Sequence, residues 1–192
     1  LKVRIDKMRE LYINLGVAWA EKGEYDKAME EFNKALAEDP YLDRTHFNIG
    51  VVYLRLKRYQ DALREFNITL RLTPDFDPAW VHKGIIYSEV GDFAKAKHSY
   101  LKALKLNPYN PLAHYNLGLL YLKAEGRDDL FLRELEASVY LNPYFIPASL
   151  ELGYIYMMKG MKERAIMLFK NVLEVDPKNA QALEYLKKIG ER

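Results

Sequence analysis

"HFNIGVVY" at residues 46–53 and "HYNLGLLY" at 114–121 share their His, Asn, Gly and Tyr in register and differ only by exchanges among apolar and aromatic letters. Looser versions recur as "YINLGVAW" at 12–19, "WVHKGIIY" at 80–87 and "SLELGYIY" at 149–156. Their glycines, Gly16, Gly50, Gly84, Gly118 and Gly153, are spaced 34, 34, 34 and 35 residues apart. A proline follows each phrase, at Pro40, Pro74, Pro108, Pro143 and Pro177, spaced 34, 34, 35 and 34. Two independent markers give one period, and both place a single extra residue in the fourth unit. Such self-similarity is the signature of a stacked repeat architecture.

Each unit reads as two helices. The first carries apolar residues at helical spacing, as in Tyr12, Leu15 and Trp19. A breaker follows, "EKGEY" at 21–25, "EVGDF" at 89–93 and "MKGMK" at 158–162. The second helix places a small residue four before an aromatic: Ala28 and Phe32, Ala62 and Phe66, Ala96 and Tyr100, Ala165 and Phe169. It stops at an Asp-Pro, Thr-Pro or Asn-Pro, because proline disfavours helix in the residue before it. The small residues let two helices approach closely, and the aromatic fills the gap that remains.

In pattern and period these residues resemble the tetratricopeptide repeat (TPR) family. The first unit carries the family's signature at Tyr12, Leu15, Gly16, Trp19, Ala28, Phe32, Ala35 and Pro40. The resemblance implies an all-α fold, a right-handed superhelix of helix-turn-helix units at 9–42, 43–76, 77–110, 111–145 and 146–179. Residues 1–8 then extend the first helix, and 180–190 form a capping helix with Leu183, Leu186 and Ile189 inward. The stripe Leu1, Ile5, Met8, Tyr12, Leu15 and Trp19 predicts a long first helix starting near the N-terminus. Two departures stand out. Lys83 occupies an apolar slot, where its stem can bury while its ammonium reaches water or a carboxylate. In unit four the extra residue reads as lying between the helices, and Phe131 takes the usual alanine slot, so the second helix there is expected to sit displaced.

In this family the first helices line the concave side, which implies a groove for a protein segment. Position 6 of successive units holds Asn14, Asn48, His82, Asn116 and Glu151; position 5 holds Ile13, Phe47, Val81, Tyr115 and Leu150. Position 9 holds Val17, Val51, Ile85, Leu119 and Tyr154. Asparagine offers donors and an acceptor on one side chain and can hold an extended backbone without reading its sequence. The apolar strip invites an extended segment or an amphipathic helix. Burying three or four such side chains at roughly 1.5–3 kcal/mol each, less ordering costs, gives micromolar affinity. The family's two-carboxylate clamp would need lysines, asparagines and an arginine where this chain has Ile13, Val17, Asn48, Pro78 and His82, and only Asn48 fits.

Bulk properties narrow the classes further. The 192 residues are 49% hydrophobic and carry a net charge of +2 without a basic stripe, which argues against nucleic-acid binding. No apolar run is long enough to span a membrane. The lack of cysteine removes disulfides and thiolate metal sites and locates the protein in no particular compartment. The chain opens on Leu1 without a signal-peptide pattern and reads as a mature or trimmed form of something longer. His46 and His114 fall in packing slots rather than in a metal-ligand cluster, and pairs such as Glu30–Glu31 and Asp128–Asp129 read as ordinary solvated charges. Neither a phosphate loop nor a nucleophile motif is present. The reading is a non-catalytic adaptor without cofactor or metal. Its alternatives are a self-assembling scaffold and the targeting module of a larger enzyme.

Overall fold

The computed structural model describes residues 2–190, with side chains from Asp6 onward. Leu1 and the Ile5 side chain of the N-terminal stripe therefore lie outside the described residues. The described chain contains eleven α-helices: α1 Lys2–Glu21, α2 Tyr25–Glu38, α3 Asp43–Arg55, α4 Tyr59–Leu72, α5 Asp77–Glu89, α6 Phe93–Leu106, α7 Pro111–Leu120, α8 Asp128–Leu141, α9 Ile146–Met158, α10 Lys162–Val175 and α11 Ala180–Ile189. Two compact units divide it, Leu1–Asp92 and Phe93–Arg192. Among the described residues no helix is long and apolar enough to cross a membrane.

Local chemistry sets the helix ends. The turns after α1, α5 and α9 and the one before α8 place Gly23, Gly91, Gly160 and Gly126 at φ of 79, 80, 75 and 60°. The α3–α4 turn has Lys57 in the same left-handed region, at φ 57°. A side chain there costs roughly 1 kcal/mol, so Lys57→Gly is expected to stabilise the protein by about that amount in urea denaturation. Between repeats, Asp39, Asn107, Asn142 and Asp176 each precede a proline, and each side chain accepts the N–H two residues on, at 2.9, 3.1, 3.0 and 3.2 Å. These Asx turns give the Asp-Pro and Asn-Pro pairs their purpose.

In the first unit, Ala28, Phe32, Ile49 and Val52 form one core cluster and Ala62, Phe66, Ala79 and Ile86 the next. A Cβ added to Gly16 or Gly50 would meet the ring of Phe32 or Phe66 at 2.5 Å, so these helix pairs close on glycine. In the second unit, Gly153 meets Phe169 in the same way, at 2.6 Å. That unit's cores are Phe131, Leu135, Val139, Ala148, Leu152 and Leu168, then Ala165, Phe169, Val172 and Ala182.

The extra residue of the fourth repeat is not a longer loop. It is absorbed as a π-helical turn, Tyr121–Glu125, that continues α7. The helix α8 meets Gly118 differently from the way Gly16, Gly50 and Gly153 are met: an added Cβ would face Glu134 Cβ at 3.2 Å and the Phe131 carbonyl at 3.3 Å. Phe131 and Leu135 have exchanged the small and large slots, and both are buried.

Two further expectations, on Leu183 and on the acidic pairs, need correction. Leu183 points outward at 48% exposure, because fully buried Ala182 sets the rotation of α11, and Tyr185, Leu186 and Ile189 pack inward. Lys83 takes the outward arm of its reading: its Nζ donates to Asn67 Oδ1 at 2.8 Å at the surface and sits 4.7 Å from the Trp80 ring centroid. The first helix is long, as the stripe predicts, from Lys2 to Glu21, and Met8 and Leu15 on it are 40% and 38% exposed. The acidic pairs are not uniformly ordinary: a bidentate bond from Arg127 lowers the Asp129 carboxyl to about 2, and Lys34 lowers Glu30.

The histidines of the opening phrase act as clasps. His46 Nδ1 lies 2.7 Å from Glu65 Oε2 and its Nε2 lies 3.0 Å from the Pro40 carbonyl. His114 repeats this with Glu134 at 2.7 Å and Pro108 at 3.0 Å. Each ring thus joins the end of one repeat to both helices of the next.

Candidate partner-binding faces

In the first unit, α1, α3 and α5 bring sequence-distant side chains to one open face. Its pocket, about 230 Å³, is lined by Val17, Phe47, Asn48, Val51, Arg55 and His82, with Ala20, Glu21, Phe32 and Val52 beneath or beside them. Phe47 is the hub: its ring lies 5.0 Å from His82, 5.1 Å from Phe76 and 5.7 Å from Phe66. His82 Nδ1 faces the Pro78 carbonyl at 2.8 Å and must donate to it, which leaves Nε2 as an acceptor. Burial, more than the nearby Arg55 charge, lowers the His82 pKa and keeps the ring neutral. Arg55 is tied back by donating to the Ala20 carbonyl at 2.9 Å. The face therefore offers apolar walls with an amide, an imidazole acceptor and a held guanidinium.

Ile13 and Ile85 are half-buried like Val17 and Val51, and Asn14 is exposed. Val81 is fully buried and leaves the set of contact residues. Its short side chain is covered whole, where Phe47 and Tyr115 at the equivalent position are long enough to reach the open face.

In the second unit, α7, α9 and α11 build an open pocket of about 340 Å³ from Tyr115, Pro147, Leu150, Glu151, Tyr154, Gln181 and Tyr185. The Tyr115 hydroxyl donates to Glu151 Oε2 at 3.3 Å. Burial and the Glu151 charge push the Tyr115 pKa up to about 12, and burial also raises that of Glu151. Tyr154 and Tyr185 rings lie 5.4 Å apart. Leu119 is half-buried against the α8–α9 core. Asn116 commits one of its two amide N–H donors to the Leu112 carbonyl at 2.8 Å, one turn back in its own helix, which leaves its oxygen and the second N–H for a partner. Sequence reasoning missed Gln181 and Tyr185, which sit four apart on one face of a helix read only as a cap. A lone aromatic in that cap was the available signal.

Models of the tetratricopeptide repeat match residues 43–76 and 146–179, and a further TPR repeat model matches 16–57 and 84–124. The chain belongs to the tetratricopeptide repeat family. TPR units are protein-interaction modules, and in those general terms so is this chain. Among solved structures it is similar to PilF of Pseudomonas aeruginosa, with 22% identity and a TM-score of 0.75 over 97% of this chain and 84% of that one. It is also similar to MamA, at 26% identity and a TM-score of 0.60, covering 92% of this chain and 96% of that one. A third likeness is to YrrB, described as a TPR protein with an unusual peptide-binding site, at 23% identity and a TM-score of 0.55, covering 92% and 90%. No curated protein sequence matches the chain.

Proposed function

We propose that this TPR chain is a non-catalytic adaptor that holds a segment of a partner protein, with the α1–α3–α5 face of its first unit and the α7–α9–α11 face of its second each offering a docking surface. The observation that carries this reading is the half-exposed apolar strip. Phe47 and Val51 each give part of their surface to the core and part to an open pocket that Asn48 and His82 edge with hydrogen-bonding groups. Asn48 keeps its whole amide for a partner backbone, whereas Asn116 has one of its two N–H donors committed to the Leu112 carbonyl. The description of YrrB as a TPR protein with an unusual peptide-binding site supports this reading. Among the described residues no group of three acidic or histidine side chains could hold a metal.

The test is a selection of displayed peptides on the immobilised full chain, followed by affinity measurement. Selected peptides should bind in the micromolar range, and Val51→Asp should weaken them by roughly tenfold or more, since a charge replaces buried apolar contact. Circular dichroism should stay at the parent level. Peptides that bind parent and variant equally would move the binding surface off this face.

A further inference from the structure

We propose that the pocket formed by Tyr115, Tyr154, Tyr185 and Glu151 binds the cationic side chain, lysine or arginine, of a partner segment. That the cation arrives on a protein segment rests on the adaptor reading above. The preference for a cation comes from the pocket itself.

Two carboxylates of the second unit make the point by contrast. Glu134 is buried and is met by His114 at 2.7 Å and by the Arg133 guanidinium at 2.7 Å. Those partners hold its pKa down despite burial. Glu151 is half-buried, yet among the described residues it forms no ion pair, and a neutral phenol is its hydrogen-bond partner. Burial then prevails and its pKa rises. A desolvated carboxylate without a counter-charge is costly, and a cation entering the pocket offsets that cost.

The tyrosines supply the rest. Aromatic faces carry the negative side of a quadrupole, and rings grouped around a small volume attract ammonium and guanidinium groups. Tyr154 is 42% exposed, and its ring and that of Tyr185 open on the same pocket. Lys188 already lies 5.7 Å from the Tyr185 ring centroid, but its ammonium is held by Glu184, so it does not serve Glu151. Leu150 and Pro147 complete the lining with apolar surface on which the aliphatic stem of a lysine or arginine can rest.

The experiment titrates three probes into the full chain: the N-acetyl methylamides of lysine, arginine and neutral norleucine. Isotope-labelled tyrosine rings report binding by chemical shift. Lysine or arginine amide should shift Tyr154 and Tyr185 saturably, and the tighter of the two names the residue the pocket takes. Norleucine amide should bind at least roughly fivefold more weakly, and Glu151→Gln, which keeps an acceptor for Tyr115, should erase that difference. Tyr154→Leu, at a half-exposed position, should weaken both cations without loss of helicity. Equal binding of norleucine and the cations to the parent, or cation binding indifferent to Glu151→Gln, would overturn the proposal. If peptides are lost on Val51→Asp while the cation probes behave like norleucine, the pocket claim fails and the adaptor reading stands. If the cation probes behave as expected and no peptide can be selected, the adaptor reading fails and the pocket's preference stands.

Discussion

Phe66→Ala is expected to remove about 3–5 kcal/mol of stability in urea denaturation, because a fully buried ring that touches both helices of its repeat leaves a cavity. The same ring makes a second expectation sharper. Gly50→Ala places a methyl 2.5 Å from Phe66 Cε1 and should cost about 1–3 kcal/mol by overpacking. On the Phe66→Ala background that cost should largely vanish, giving a coupling that a double-mutant cycle reads directly. Gly118→Ala is the internal control. Its new methyl meets neighbours at 3.2–3.4 Å, and the gain in helix propensity of about 1 kcal/mol should bring the change close to neutral. Equal costs at Gly50 and Gly118 would show that the glycines serve the backbone alone and that ring contact does not set the pair geometry.

The second large effect lies in the clasp. Both neighbours of the His114 ring, the Glu134 carboxylate and the Pro108 carbonyl, can only accept, so both bonds are satisfied only by the imidazolium. The Glu134 bond accordingly raises the His114 pKa above its ordinary 6.5. Hydrogen bonds from His114 and Arg133 outweigh burial and lower that of Glu134 below 4.5. The signs then follow from linkage. The His114 contribution is complete below pH 6.5 and is lost as pH rises through its raised folded value. The Glu134 contribution is complete above pH 4.5 and is lost as pH falls through its lowered folded value. The clasp is thus strongest in the window between those two ordinary values. His114→Ala should cost about 2 kcal/mol there, less than breaking a fully buried pair because Arg133 still meets Glu134. The deficit should shrink in mildly alkaline buffer. A deficit that does not change with pH would mean that the imidazole acts by packing alone.

Much of this structure is legible in the letters, and the parts that are not share a cause. The period, the helix pairs and the Gly–aromatic contacts follow from positions within a repeat, because a small residue opposite a large one is a pairwise rule that spacing alone can express. Placement of the extra residue in unit four is different. A π turn continuing α7 and a longer loop have the same length in sequence, and only the packing of Phe131 and Leu135 chooses between them. Rotation of α11 is likewise fixed by fully buried Ala182, a residue too small to mark a face by hydropathy. Among the face residues, Asn48 and Val51 stand in the first unit's pocket and Glu151 and Tyr154 in the second's, whereas Val81 is buried. The His–Glu clasps escape a sequence reading because each joins residues 19 or 20 apart on different helices.

The measurement that tests the account most directly is a backbone amide shift map of the full chain with a selected peptide bound. The largest changes should fall on Val17, Asn48, Val51 and His82 in the first unit or on Tyr115, Leu150 and Tyr154 in the second. Changes concentrated instead around Val139, Tyr140, Leu152 and Met167, which line a separate pocket between α8 and α10, would contradict it.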